Sequence, residues 1–387
     1  MANSFISDSR QLIEEARNQR SNLVITGHNS KKFYGNPYVN PHLQLNTTTN
    51  DGIIDYDPSE LVVRVRSGTS IINLEKELIS RNQFLNFEPP RFKSKTKSGV
   101  EDRVGTVGGM IASGLSGPGR FFYGGCRESV LGLTIMDGTG KLLRFGGSVI
   151  KNVAGYDVSR LNVGALGCLG LITEAFLRTY PQPVSEKTVE LAVSRKELSE
   201  IIKFCYTEQL PISGSFWTNL ETKELSKKER LYIRLSGKEA LTSLAVKKIS
   251  EKFKNYTVLG NHATSLWNSI RDQDLKFFAD KISGNEILWR ISVPLATDIN
   301  LVSGEDMIFE WMGALRWVKS KECPLSVRKK VAQAGGHATI YHASQSIKEE
   351  YGSFSQLGDA SRRVHLNLKK VFDPENIFNK ARLYHFM

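Results

Sequence analysis

The sequence predicts an α+β protein built as two domains, or as one domain split by an insertion. Three observations carry that expectation. At 387 residues the chain is too long for one ordinary hydrophobic core. Eighteen of its 32 glycines fall between Gly99 and Gly170, so this part differs in texture from the rest. Two prolines in "TYPQPVSEK" (179–187) then interrupt regular structure where the glycine density drops.

The elements follow in order. "MANSFISDSRQLIEEARNQR" reads as an amphipathic helix capped at Ser7 or Asp8, with Leu12, Ile13 and Ala16 facing inward. It lacks the basic start and continuous apolar stretch of a signal peptide. "NLVITG" (22–27) is a buried strand ending in glycine, and "ELVVRVRSG" (60–68) alternates imperfectly, as a strand does. "TSIINLEKELISRN" (69–82) places Ile71, Leu74 and Leu78 at helical spacing behind a Thr69/Ser70 cap. Strand, turn and helix in succession point to α/β units. Beyond residue 184 the strands "TVELAVS", "RLYIRLSG", "EILWRISVP" and "ALRWVKS" join the helices "SRKELSEIIKFCYTEQ" and "EALTSLAVKKISEKFKN". Two strand–helix rounds with antiparallel partners would lay a layer of helices on an open sheet. In the tail, Leu357, Ala360, Val364, Leu368 and Val371 make a helical stripe that stops at Asp373-Pro374.

Composition excludes several classes. A hydrophobic fraction of 40% and a charged fraction of 24% are those of a soluble globular protein. No apolar run approaches the ~20 residues of a membrane span. Cys126, Cys168, Cys205 and Cys323 are scattered, without zinc or iron–sulfur spacing or a disulfide framework, so no metal is expected and a reducing cytoplasm fits. The net charge is +12, but the basic residues are interleaved with acids. Even the densest cluster, "RFKSKTKSG" (91–99), reads as a solvated loop. Lys and Arg interleaved with aromatics, the pattern of a nucleic-acid surface, do not occur. An anionic ligand or an acidic partner could use the same charge.

"TVGGMIASGLSGPG" (106–119) is nearly without side chains. On a helix, Gly105, Gly108 or Gly109, Ala112 and Ser116 fall three and four apart, which leaves one face of bare backbone. Such a face admits a helix, a strand or a flat ligand, and the first amides beside Thr106 could hold an anion. Close packing in a core explains the same face. "ITGHNSKKFYG" (25–35) runs from a strand into a polar loop that could cradle phosphate through its amides, although a surface turn reads alike. Neither a Walker A loop nor a Rossmann fingerprint is present. "KNVAGYDVSRLNVGALGCLGLITEAFLRTYP" (151–181) sets Lys151, Asn152 and Asp157 among small and apolar residues. Glycine inside an element costs ~0.5–1 kcal/mol against alanine. Three such segments are best explained by one large, flat, phosphate-bearing ligand, and a dinucleotide fits.

Longer stretches carry a resemblance. "GTVGGMIASGLSGPGRFFYGGCRESVLGLTIMDGTGKLLRFGG", "KNVAGYDVSRLNVGALGCLGLIT" and "DPENIFNKARLY" closely resemble the E-type subunits of glycolate oxidase, also called glycolate dehydrogenase. These are flavoproteins with the vanillyl-alcohol-oxidase, or PCMH, type of FAD domain. The resemblance covers roughly residues 20–183 and the last fifteen, and rests mainly on "GGHATI" (335–340) between them. It implies a two-lobed PCMH-type FAD-binding domain over 1–183, an α+β cap domain over 184–350, and a tail over 351–387 that returns to the FAD domain. The loop Thr26, Gly27, His28, Asn29, Ser30 and Lys31 would hold the pyrophosphate. Gly105, Thr106, Gly108, Gly109, Ala112 and Ser113 would lie along the cofactor, with Gly117 nearby. Arg127 and Glu128 would open the following strand, where the family more often has Arg-Asp. Gly155, Tyr156 and Asp157 would close over the flavin, Ile172 would contact the adenine, and Asn379 would sit near the ring. Relatives that bind FAD covalently use a histidine in the pyrophosphate loop. Here Asn29 takes that place, with His28 one position earlier, so non-covalent FAD is expected.

Oxidation of a 2-hydroxy acid needs a base near the hydroxyl and a cation on the carboxylate. The catalytic D-type relatives use histidines in an HxxxGNxH-like motif. "GGHATIYHAS" offers His337 and His342, five positions apart and without the intervening glycine and asparagine, and both read more readily as plain cap-domain residues. Arg120, Arg316 and Arg328 are candidate clamps that the sequence leaves unranked. The resemblance thus implies an FAD-binding subunit of a heteromeric complex oxidising glycolate to glyoxylate, beside a D-type flavin subunit and an iron–sulfur subunit. Its flavin would take a hydride or relay electrons. The alternative is a self-sufficient FAD-dependent dehydrogenase of D-lactate type. Any membrane association would come through partners.

Overall fold

The computed structural model describes residues 2–39, 42–95, 101–147, 157–220, 229–260, 262–280, 282–302 and 304–387. The chain divides into two compact units. The first comprises Met1–Leu115, Gly124–Pro181 and Gly352–Met387; the second comprises Ser116–Tyr123 and Gln182–Tyr351.

The first unit is built on a five-stranded antiparallel sheet in the order Ile53–Asp57, Val62–Arg66, Leu171–Arg178, Val130–Met136, Leu142–Gly146. Alternation along these strands turns Val63, Val65, Leu133, Ile135, Ala175 and Leu177 to one face, where all are buried. Two helices cover that face. Ile71–Ser80 contributes Ile71, Leu74 and Leu78 at the expected spacing, and Val107–Ser113 contributes Val107, Met110 and Ile111. A separate parallel pair, Leu23–Thr26 with Leu43–Asn46, packs against the N-terminal helix.

That helix runs over Ala2–Asn18, not from a cap at Ser7 or Asp8. Phe5 and Ser9 are buried two turns and one turn before Ile13, so the inward stripe starts earlier than the sequence alone suggests. The C-terminal helix Asp359–Phe372 ends where the proline dictates, but its inward face is not the expected one. Val364 and Val371 are 56% and 71% exposed, while Lys369 and Phe372 are buried. The Lys369 ammonium donates to Cys168 O (2.8 Å), Phe378 O (3.0 Å) and Asp373 Oδ2 (2.7 Å). Asp373 in turn accepts the amides of Ile377 and Phe378. A buried charge with every valence met sets the helix rotation, and the two valines are left outside.

The second unit is an eight-stranded sheet, antiparallel throughout. Its order is Tyr256–Leu259, Ser185–Ala192, Arg230–Gly237, Ile212–Thr218, Met307–Glu310, Leu315–Ser320, Ile287–Ser292, His337–His342. Helices Leu198–Thr207, Glu239–Lys252 and Pro324–Gln333 bury Leu198, Ile201, Ala245, Ile249, Val327 and Val331 in its main core. Helix His262–Asp272 brings Trp267 against Gly214 on strand Ile212–Thr218, whose residues are all buried. A strand covered on both faces reads as a continuous buried run rather than an alternation. Among the described residues the cysteines are free, no group of acids, histidines and cysteines could hold a metal, and no helix is long and apolar enough to cross a membrane.

Candidate functional site

In the first unit, strand Leu23–Thr26 delivers the chain into a cleft whose lining includes Thr26, Lys31, Gly109, Ile172 and Asn379. Thr26 is fixed on both sides: its hydroxyl accepts from Gln44 Nε2 (2.9 Å) and its carbonyl from the Thr47 hydroxyl (3.2 Å). The loop beyond it turns at Asn29, whose φ of 57° is the left-handed conformation that Asn tolerates better than most residues. Among the described residues the amides of His28, Asn29, Ser30 and Lys31 find no acceptor. A left-handed residue in such a turn helps gather successive amides into a concavity that suits an anion. Lys31 adds a charge with no carboxylate partner among the described residues. Burial pushes its ammonium down to about 8, an effect that Cys126 offsets only in part.

The bare helix forms the opposite wall, but not as an anion-binding terminus. Its first amides are spent inside the protein: Val107 donates to Thr69 O, Gly108 to Ser67 O and Gly109 to the Thr106 hydroxyl. The amides left without an acceptor are those of the 28–31 loop. Two glycines are bare for close packing: a Cβ on Gly27 would stand 2.3 Å from Thr106 Oγ1, and one on Gly108 3.0 Å from Ser67 Cβ. Gly109, Ala112 and Ser113 line the cleft with them, and Ile172 supplies part of the apolar floor. Gly105 stands just outside, its amide donating to His28 Nδ1 (3.2 Å), which leaves the other ring nitrogen of His28 to carry the proton.

Asn379 reaches the same cleft from the tail. Its side chain accepts from the Ile25 amide (2.9 Å) and donates to Leu166 O (2.6 Å), so it staples the strand to the 166–170 turn. The remaining expected residues are placed elsewhere. Arg127 and Glu128 are exposed on the short helix Cys126–Ser129, where Glu128 accepts the Gly125 amide (2.7 Å). Asp157 caps helix Val158–Leu161 through the Arg160 amide. Gly117 belongs to the second unit, and Gly155 and Tyr156 lie outside the described residues. Sequence reasoning missed Arg382. Its guanidinium is buried against the Tyr38 ring and donates to the carbonyls of Lys31, Lys32 and Asn36, clamping the loop from behind. Within "FNKARLY" the resemblance marks Asn379 alone.

In the second unit, His337 and His342 stand at the two ends of one strand. The pairing skips a residue at Tyr341, and this bulge returns both histidines to the same face. They remain about four residue steps, roughly 13 Å, apart and cannot share one proton. Burial and then Lys348 push His342 down to about 4. Of the candidate clamps, Arg316 is consumed by the carbonyls of Gly313, Asp298 and Thr297, and Arg328 donates to Tyr351 O.

Comparison with known proteins agrees with this geometry. Residues 6–146 match a family model described as an FAD binding domain. The glycolate oxidase subunit GlcE of Escherichia coli is 37% identical over 372 residues, covering 96% of this chain and 95% of its own. The GlcD subunit of Bacillus subtilis is 32% identical over 137 residues, 35% of this chain and 27% of its own. A solved alkyldihydroxyacetonephosphate synthase shares the fold at a TM-score of 0.62 and 13% identity, over 96% of this chain and 73% of its own. The FAD-binding domain is thus of PCMH type within an α+β protein, and the cleft suits its cofactor: unpaired amides and a lone ammonium for phosphate, bare backbone and Ile172 for flat rings. The chain belongs to the family of the glycolate oxidase subunit GlcE.

Proposed function

We propose that this chain is the FAD-binding subunit of a heteromeric glycolate dehydrogenase, working beside a D-type flavin subunit and an iron–sulfur subunit to oxidise glycolate to glyoxylate. The observation that carries this reading is the end-to-end match to GlcE, 37% identity over 96% of the chain. The amides of His28, Asn29, Ser30 and Lys31 bind the pyrophosphate, the Lys31 ammonium neutralises part of its charge, and Arg382 holds the loop in shape. The Gly109–Ser113 wall and Ile172 take the ring systems, and Asn379 keeps the two sides of the cleft together. His28, turned to the Gly105 amide, positions that glycine rather than bonding to the cofactor, so FAD is held without a covalent link. When bound, FAD supplies the acceptor for a pair of electrons.

The two histidines are too far apart to serve as one acid–base pair, which favours the heteromeric reading over a self-sufficient D-lactate-type enzyme. The test is anaerobic addition of glycolate to the protein alone and to the complex with its D-type and iron–sulfur partners. Glycolate oxidation that needs this chain in the complex supports the reading. Full bleaching of the isolated chain's flavin supports the self-sufficient alternative, and a complex that oxidises glycolate equally well without this chain overturns the heteromeric reading.

A further inference from the structure

We propose that Arg120, Arg290 and His337 form, around the indole of Trp311, a binding site for a small carboxylate anion. All four residues belong to the second unit. Arg290 lies on strand Ile287–Ser292 opposite Thr339, and Ser292 lies opposite His337. Arg290 and His337 are therefore diagonal neighbours on one face, within reach of a common ligand. The Arg290 guanidinium stacks 5.3 Å from the Trp311 ring and 5.8 Å from that of Trp317. It has no hydrogen bond or ion pair to any described residue. Arg120 stacks on Trp311 as well, at 4.7 Å. Burial and then the charges of Arg290 and Arg120 hold the His337 imidazole below its ordinary range, which puts both cations within electrostatic reach of it.

The platform between them is rigid and costly to build. Trp311 is 2% exposed, and its indole N–H donates to Gly117 O (3.0 Å). Trp311, Met312 and Gly313 all take the left-handed conformation, with φ of 54°, 56° and 85°. For a bulky side chain that is a steric outlier, and such outliers gather where a site fixes them. The Met312 amide is pinned by the Ser215 hydroxyl (2.6 Å). Glu310, the buried acid that precedes Trp311 in the chain, accepts the Trp317 indole N–H (2.7 Å). Stacked on the indole, the Arg290 guanidinium keeps its N–H edge open, the edge that takes a carboxylate in a two-bonded fork. Arg316, by contrast, has its donors filled by carbonyls. A hydroxy- or keto-carboxylate would offer its carboxylate to the Arg290 guanidinium, with the charge of Arg120 nearby, and its second oxygen to His337.

This inference rests on the reading of the chain as part of a glycolate-oxidising complex and deepens it: the subunit meets a small carboxylate itself rather than electrons alone. The holoprotein is titrated with oxalate, which the flavin cannot oxidise, and with glycolate, following tryptophan fluorescence; uncharged glycolamide is the control. Oxalate and glycolate are expected to saturate and glycolamide to do nothing. Arg290→Gln should weaken oxalate at least tenfold, and Trp311→Phe should remove most of the signal. Should Arg290→Gln fail to fold by circular dichroism, Arg290→Lys, which keeps the charge but not the fork, should still weaken oxalate several-fold. Unchanged oxalate affinity in the folded Arg290 variant, or an equal response to glycolamide, overturns the proposal. The two readings fail separately. Oxalate binding lost in Arg290→Gln beside a complex that oxidises no glycolate sinks the function and keeps the site. Glycolate oxidation with KM unchanged in Arg290→Gln sinks the site and keeps the function.

Discussion

Replacing Lys31 by Met should move fold stability and cofactor affinity in opposite directions. In the flavin-free protein the Lys31 ammonium is charged against burial, its pKa lowered from 10.5 to about 8. A shift of about 2.5 units corresponds to at most about 3 kcal/mol of destabilisation at neutral pH. Partial access of water reduces this to about 1–2 kcal/mol, which Lys31→Met should recover. Between pH 8 and 10.5 the unfolded chain binds the extra proton, so wild-type stability should rise with pH across that window, while the variant stays flat. FAD reverses the sign. A charge-assisted bond to phosphate contributes about 1.5–3 kcal/mol, so Lys31→Met should weaken FAD roughly tenfold to a hundredfold. Wild-type affinity should also fall as pH rises above about 8, where the flavin-free lysine loses its proton. Urea unfolding of the flavin-free protein and flavin-fluorescence titration read the two effects. A variant that is less stable without flavin yet binds FAD normally would refute the reasoning.

Three further outcomes are expected. Gly27→Ala places a methyl 2.3 Å from Thr106 Oγ1 and should cost about 1–3 kcal/mol, read in urea, with partial rescue by Thr106→Ala. Lys369→Met strands the Asp373 carboxylate in the interior and should cost about 3–5 kcal/mol in the same assay. Because the tail carries Asn379, this variant should also release FAD more readily on gel filtration. His342, pushed from 6.5 to about 4 by burial, makes the unfolded chain the greater proton binder between those pH values. Stability should drop by up to about 3 kcal/mol as pH falls from 6.5 to 4. His342→Phe should flatten that slope, and an unchanged slope would show the imidazole to be solvated.

What the sequence disclosed and what it hid divide along physical lines. Local rules sufficed for helix Ile71–Ser80 and strand Leu23–Thr26, whose spacing and flanking glycine announce them. They also suggested an amide-lined loop at 28–31, since a polar loop with Asn leaving a strand is a local signal. The helix at Val107 was read as an alternative anion site because its amides' acceptors, Thr69 O and Ser67 O, are set only by tertiary packing. The tail stripe was turned outward for a similar reason: Lys369 finds its carbonyl on Cys168, 201 positions away. Nor does the sequence show that Ser116–Tyr123 leaves the first unit and carries Arg120 to Trp311 in the second. The bulge at Tyr341 is equally silent in sequence, and it decides which face His342 takes.

The most direct test of the account is the visible spectrum of the protein reconstituted with FAD, followed by acid precipitation. Bound flavin with shifted visible bands, released entirely into the acid supernatant and lost in Lys31→Met at low FAD concentration, is the predicted result. A protein that takes up no flavin, or one that carries it into the pellet as a covalent adduct, would contradict the cleft assigned to residues 26–31.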